Sequence, residues 1–180
     1  DPLDGTKEFI NKNGEFTVNI ALVQAHRPVL GVVHVPVKDI TYSASPETGA
    51  SKSLEGDVAP IHCKKLAENE PVRVVGSRSH RGSSLDAFLD RLSAFEILAM
   101  GSSLKLCLVA EGRADIYPRL GPTSEWDTAA AQCVVEQAGG EVYNVETWRP
   151  LEYNRKESIL NPHFFVAGDT NTDWKAYFTS

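Results

Sequence analysis

The stretch Asp1-Pro2-Leu3-Asp4-Gly5-Thr6 opens the chain and organises the rest of it. Two carboxylates three positions apart are followed by a Gly-Thr turn, so Asp1 and Asp4 can converge on one point while the Gly5 and Thr6 amides stay open. Mg²⁺ prefers a few carboxylate oxygens together with water and substrate phosphate, and the amides of a small-residue turn bind phosphate oxygens. The stretch therefore indicates a site for a hard cation and an anion together. An Asx-type turn that caps a helix would use the same residues and stays open as the alternative.

A second acidic stretch begins with Glu125-Trp126-Asp127-Thr128 and continues into an alanine-rich segment that ends at Gly139-Gly140. This pattern predicts a helix from Trp126 to Ala138 that the glycine pair stops. Taken alone, the pattern favours Asp127 as the N-cap of this helix, which is the usual role of an aspartate before a helix.

The amino-acid composition indicates a globular protein and excludes some classes of function. A chain of 180 residues with 42% hydrophobic content can bury a real core. Its net charge of −6 argues against non-specific nucleic-acid binding, which needs an excess of Lys and Arg along the phosphates, so no nucleic acid polymer is expected as a partner. An acidic protein that binds an anionic small molecule must neutralise it locally, with a metal ion or a few well-placed cations.

Cysteine usage and hydropathy indicate the compartment. The three cysteines, Cys63, Cys107 and Cys133, are far apart and in no metal-binding spacing, which favours free thiols in a reducing compartment. No apolar run approaches the length of a transmembrane segment. We therefore expect a cytoplasmic protein.

Strand and helix patterns predict an α/β protein. The apolar runs 16–25 and 29–36 have the spacing of a β-hairpin, and their apolar character on both faces suggests a sheet that is covered on both sides. Strands alternate with helices over residues 72–167, which favours a mixed sheet. A polar segment rich in Pro and Gly separates the two regions. We place the boundary there, with a first domain at 1–71 and a second at 72–180.

Together the two acidic stretches, in this order, resemble the paired signatures of the inositol monophosphatase superfamily, which are Mg²⁺-dependent, lithium-sensitive phosphatases. Within it, the chain more closely resembles the bacterial CysQ-type 3′(2′),5′-bisphosphate nucleotidases. Four further strings carry this resemblance: Gly14 to Leu22, Ser77 to His80, Gly101 to Gly112 and Tyr117 to Thr123. The resemblance implies an α/β (α+β layered sandwich) fold of the sugar phosphatase-like type, with alternating α and β layers and mixed sheets.

The resemblance also implies a Mg²⁺ site with two or three ions. Asp1, Asp4 and Asp127 would bind the metal through carboxylates, and Leu3 would bind it through its main-chain carbonyl. Asp4, Thr6 and Asp127 would be the catalytic residues, with the threonine hydroxyl orienting the attacking water.

A nucleotide substrate would need further contacts, and Arg119 and Lys105 suit a second phosphate, the Arg as a bidentate donor and the Lys as a point charge. Ser102 and Ser103 would donate to the same group or serve as N-caps of a helix. The full implied set of substrate-binding residues is Leu3, Asp4, Gly5, Thr6, His80, Ser102, Lys105, Arg119 and Asp127.

The implied reaction is hydrolysis of the 3′-phosphate of adenosine 3′,5′-bisphosphate to AMP and phosphate. An inositol or sugar phosphate monophosphatase stays open, because the metal motifs are shared across the superfamily. The family takes further metal ligands from a Glu-Glu motif in an N-terminal segment that this sequence lacks. We therefore expect the chain to be a fragment of a longer protein, and a module that binds metal and nucleotide without turnover is the other alternative. Some CysQ-type proteins associate peripherally with a membrane, a property that this composition does not reveal.

Overall fold

The computed structural model describes residues 1–67, 69–76 and 83–178 of the chain. Within these residues the strands are β1 Val18–Gln24, β2 Arg27–Val35, β3 Ile40–Ser45, β4 Gly49–Leu54, β5 Asp57–Pro60, β6 Val72–Gly76, β7 Phe95–Ala99, β8 Ile116–Arg119, β9 Glu141–Asn144 and β10 Phe164–Ala167. The helices are α1 Thr6–Ile10, α2 Ser83–Leu89, α3 Leu104–Ala110 and α4 Glu125–Gln137, with a 3₁₀ helix at Trp174–Tyr177.

The first sheet is an antiparallel meander in which β1 to β5 lie side by side in chain order. β1 and β2 form the predicted hairpin, with Val18 opposite His34 and Gln24 opposite Arg27. The prediction that both faces of this sheet are covered is wrong for the described residues. One face packs on α4, whereas Ile20 on the other face is 60% exposed.

The second sheet is mixed, as the alternation of strands and helices predicts, and its strand order is β7-β6-β8-β10-β9. β6 pairs in parallel with β7 and β8, and β10 pairs antiparallel with β8 and β9. β6 and β7 are joined through α2, which is how parallel neighbours are usually connected.

Alternate residues of the second sheet enter two different cores. Phe164 and Val166 of β10 pack in a cluster that also holds side chains of α3, α4 and the first sheet. Phe165 and Ala167, one position on, pack on the opposite face with Phe88 of α2. This period of two is the strand geometry itself. The layers therefore run sheet, helix pair, sheet, helix, and the predicted layered α/β sandwich is confirmed.

α4 lies against the first sheet at a point where no side chain fits between them. A Cβ placed on Gly31 of β2 would lie 2.2 Å from the Ala130 carbonyl oxygen and 2.9 Å from Cys133 Cβ. The Arg27 guanidinium of β2 also bonds Glu136 of α4 at 2.7 Å. These contacts fix the helix that carries Asp127 on the sheet that follows the opening turn.

The cysteine and hydropathy predictions agree with the structure over the described residues. Cys107 and Cys133 are buried, and none of the three cysteines forms a disulfide there. No helix in the described ranges is both long and apolar enough to cross a bilayer. The division at residue 71 falls between β5, the last strand of the first sheet, and β6 of the second, and it stays a proposal.

Candidate metal and anion site

The opening turn is held by main-chain hydrogen bonds on both sides. Asp1 Oδ1 accepts the Leu3 N–H at 2.9 Å, which forms an Asx-type turn, but this turn does not cap α1, whose N-cap is Gly5. Asp4 then pairs with Thr17 through two main-chain hydrogen bonds of 2.9 Å. Gly5 follows with φ of 91°, a left-handed conformation that suits glycine, and it is the N-cap of α1. The turn therefore fixes both aspartates against the start of β1.

Asp127 reaches the same place from α4. Ser124 is the N-cap of this helix, and Asp127 is the third residue inside it, so the N-cap interpretation of Asp127 is wrong. Asp127 Oδ2 accepts the Ser124 N–H at 2.8 Å in a capping box, because an acid at this position can bond back to the N-cap amide. The cap orients the carboxylate and leaves its other oxygen for the cleft.

The three aspartates come together as the sequence predicts. One carboxylate oxygen from each of Asp1, Asp4 and Asp127 lies within 4.8 Å of the other two, and all three residues are partly buried. Burial raises the pKa of Asp127 above its ordinary value, and the nearby charge of Asp4 raises it further. Like charges this close repel unless a cation lies between them, and carboxylate oxygens are the donors that Mg²⁺ prefers. These residues therefore fit a magnesium site.

Positive charge lies on the other wall of the same cleft, whose volume is ≈ 240 Å³. The predicted residues that line it are Asp4, Gly5, Ser102, Lys105, Arg119 and Asp127. Arg119 Nη2 donates to the Pro122 carbonyl at 3.0 Å, while its Nε is buried and has no partner in the described part of the chain. An unpaired buried donor is costly, and an anion in the cleft would satisfy it.

Lys105 lies beside Arg119 in the cleft. Its Nζ is 5.5 Å from the centre of the Tyr117 ring, a cation–π contact. Burial lowers the pKa of Lys105 to about 8, with Asp4 acting in the opposite direction and Arg119 lowering it further. The cleft thus has an acidic end for a cation and a basic end for an anion.

The remaining predicted residues have less defined places. Thr6 is exposed at the start of α1, and within the described residues neither its amide nor that of Gly5 donates a hydrogen bond. Ser102 already donates its hydroxyl proton to the Glu15 carbonyl at 2.5 Å, so a substrate contact would have to replace that bond. The N-cap of α3 is Ser103 rather than Ser102. His80 lies outside the described residues.

Sequence reasoning missed Thr17 and Asn19 behind Asp4, and it predicted Ser103 as a phosphate donor or helix cap but not as a partner of Asp4. Thr17, Asn19 and Ser103 are 0%, 5% and 2% exposed and form hydrogen bonds to one another and to Asp4. A signal was present, because Thr17 and Asn19 are spaced by two in an otherwise apolar strand and so share one face. Polar side chains on a buried face need partners there.

Comparison with known proteins agrees with the class that the fold and the three-carboxylate site define, a layered α/β metal-dependent phosphatase. The model of the inositol monophosphatase family matches residues 1–172. The chain belongs to the inositol monophosphatase family.

Two curated bacterial relatives are both named 3′(2′),5′-bisphosphate nucleotidase CysQ. The Shigella flexneri protein is 47% identical over 167 residues, and the Escherichia coli K12 protein is 46% identical over 173 residues. In each case the match covers 93% of this chain and 66% of the relative. The chain thus spans about two thirds of the length of these relatives.

Solved structures show the same fold. The crystal structure of CysQ from Bacteroides thetaiotaomicron has a TM-score of 0.81 at 43% identity, covering 93% of this chain and 68% of that one. An inositol monophosphatase from Zymomonas mobilis has a TM-score of 0.80 at 27% identity, covering 99% and 67%. The chain is therefore more similar in sequence to the CysQ structure, while both share its architecture.

Proposed function

We propose that the protein is a Mg²⁺-dependent phosphatase that hydrolyses the 3′-phosphate of adenosine 3′,5′-bisphosphate to AMP and phosphate. The observation that carries the proposal is that Asp4 and Asp127, whose carboxylates cluster with that of Asp1, line one cleft together with Lys105 and Arg119. A substrate with two phosphates matches this arrangement, because one phosphate needs the metal end and the other needs the basic end. The similarity to proteins named bisphosphate nucleotidases supports the same substrate class.

Asp1, Asp4 and Asp127 would hold Mg²⁺ through their carboxylates, and Leu3 through its carbonyl oxygen. Bound Mg²⁺ supplies positive charge to the phosphoryl oxygens and lowers the pKa of a coordinated water. We keep two or three ions as the proposed number.

The protein's own residues would place the substrate. The open amides of Gly5 and Thr6 would donate to oxygens of the phosphate that leaves, and the Thr6 hydroxyl would orient the attacking water. Arg119 and Lys105 would hold the second phosphate, with Ser102 and His80 as further proposed contacts. Catalysis in this arrangement is mainly positioning and charge stabilisation.

A phosphate-release assay on the full natural chain containing these residues tests the proposal. With Mg²⁺ present, we expect kcat/KM for adenosine 3′,5′-bisphosphate to exceed that for inositol 1-phosphate, and chelation with EDTA to abolish release. A preference for the inositol ester would replace the proposed substrate. Calorimetric binding of Mg²⁺ and nucleotide without release would instead indicate a binding module.

The pKa of Lys105 predicts a pH dependence of substrate binding. Because Lys105 loses its proton near pH 8, its charged fraction falls from about nine tenths at pH 7 to about one tenth at pH 9. We expect KM for adenosine 3′,5′-bisphosphate to rise about tenfold over this range. Steady-state kinetics on wild type and Lys105→Met would measure it. The variant should have a high KM that no longer changes with pH, and a flat wild-type profile would remove Lys105 from the substrate site.

The binding partner and the cellular location of the protein are also proposals. A small anionic nucleotide is the proposed partner, no nucleic acid polymer is expected, and the oligomeric state is unassigned. The free cysteines are consistent with the proposed cytoplasmic location.

A further inference from the structure

One oxygen of the Asp4 carboxylate is held by hydrogen bonds from buried residues. Its Oδ2 atom accepts the Ser103 main-chain N–H at 2.5 Å, the Thr17 hydroxyl at 3.3 Å and, more weakly, the Asn19 amide at 3.5 Å. Within the described residues no hydrogen bond reaches Oδ1. Oδ2 is thus engaged with the protein, and Oδ1 is the oxygen left for a cation.

The hydroxyl groups in this network can be assigned as donors or acceptors. An ionised Asp4 only accepts, so the single hydroxyl proton of Thr17 points at Oδ2. The Thr17 and Ser103 hydroxyls are 2.8 Å apart, and Thr17 can then only accept from Ser103. Ser103 also lies 2.8 Å from Asn19 Oδ1, so its one proton is shared between two acceptors. The three hydrogen-bond donors that reach Asp4 thus all end on the same oxygen, Oδ2.

The network also joins parts of the chain that are distant in sequence. Thr17 precedes β1, Asn19 lies within it, and Ser103 is the N-cap of α3, which packs on the second sheet. Asn19 additionally exchanges main-chain hydrogen bonds of 2.7 and 2.9 Å with Asp1. Thr17 is 0% exposed, so it cannot contact the substrate, and any effect of its hydroxyl on catalysis must pass through Asp4 or Ser103. Ser103 lines the cleft but is only 2% exposed, and its main-chain N–H is already bonded to Asp4.

We propose that Thr17 and Ser103 are positioning residues that fix the Asp4 carboxylate with Oδ1 presented to the cation before the cation binds. A ligand held in this way does not lose rotamer freedom when the metal arrives, so the metal binds more tightly. The inference rests on the proposed function, because it takes the Asp1, Asp4 and Asp127 cluster to be the Mg²⁺ site.

The test is Mg²⁺ affinity, measured by isothermal titration calorimetry on the full natural chain without substrate. Thr17→Val removes the hydroxyl with little change in volume, and we expect it to weaken Mg²⁺ binding about tenfold or more. Thr17→Ser restores the hydroxyl and should bind within about twofold of wild type. The matched control is Thr41→Val on β3, two strands away from β1, which removes the 2.9 Å contact of Thr41 with His34 and should leave the affinity unchanged.

The outcomes separate this inference from the proposed function. If wild type binds Mg²⁺ and Thr17→Val binds it equally well, Thr17 is only structural and the inference is overturned, even if the melting temperature falls. If wild type binds no Mg²⁺, the proposed function itself fails. Should Thr17→Val not fold, Ser103→Ala decides, since it keeps the main-chain donor to Asp4. It should lose affinity by a smaller factor, and an unchanged affinity would overturn the inference.

Discussion

Replacing Asp127 by asparagine is expected to lower kcat/KM for adenosine 3′,5′-bisphosphate about a thousandfold, equivalent to roughly 4 kcal/mol of lost transition-state stabilisation. Asparagine keeps an oxygen that can accept the Ser124 N–H, so the capping box and α4 should survive. What disappears is one of the three negative charges that lie within 4.8 Å of one another. Mg²⁺ titration calorimetry and phosphate release at saturating Mg²⁺ would measure the two effects.

Asp57→Asn is the matched control for this variant, since Asp57 is exposed on β5 and distant from the cleft. It makes the same chemical change and should leave both Mg²⁺ affinity and kcat/KM at wild-type values. If Asp127→Asn behaves like this control, Asp127 is only a capping residue and the proposed metal site is wrong.

Gly31→Ala is expected to destabilise the fold by about 3 kcal/mol, the upper end of the usual cost of overpacking, because the main-chain atoms that the new Cβ meets cannot yield. The added Cβ would meet the Ala130 carbonyl oxygen at 2.2 Å, and main-chain atoms inside a helix do not move alone. α4 must shift away from β2, and Asp127 shifts with it. Thermal unfolding should show a melting temperature about 6–12 °C lower, and the remaining folded protein should bind Mg²⁺ more weakly.

Gly76→Ala provides the contrast, since among the described residues its Cβ would meet only Ile97 Cγ2 at 3.7 Å, an ordinary contact. We expect its melting temperature to stay within a few degrees of wild type. A Gly31→Ala protein as stable as Gly76→Ala would mean that α4 is not tightly seated on the first sheet.

Most of the fold is predictable from local pattern. The hairpin of β1 and β2 and the helix that the Gly139-Gly140 pair stops both follow from periodicity and turn residues. The exposed outer face of the first sheet was not predicted, because apolar residues on both sides of a strand only indicate burial and do not show what covers each face.

The acidic residues of the site were also predictable, since Asp1 and Asp4 share one short turn and Asp127 lies in the first turn of a helix with a distinct pattern. The exact role of Asp127 in its helix was missed, because an N-cap and a third helical residue that bonds back to it place acids at nearly the same sequence position.

The sequence by itself determined the residue types at the site, the alternation of strands and helices, and the family to which the chain belongs. Only the tertiary structure decided that Asp127 meets Asp4 and that Thr17, Asn19 and Ser103 lie behind Asp4. The physical reason is that these contacts span most of the chain. They depend on how α3 and α4 pack between two sheets, and the helix and strand propensities of short segments do not determine that packing.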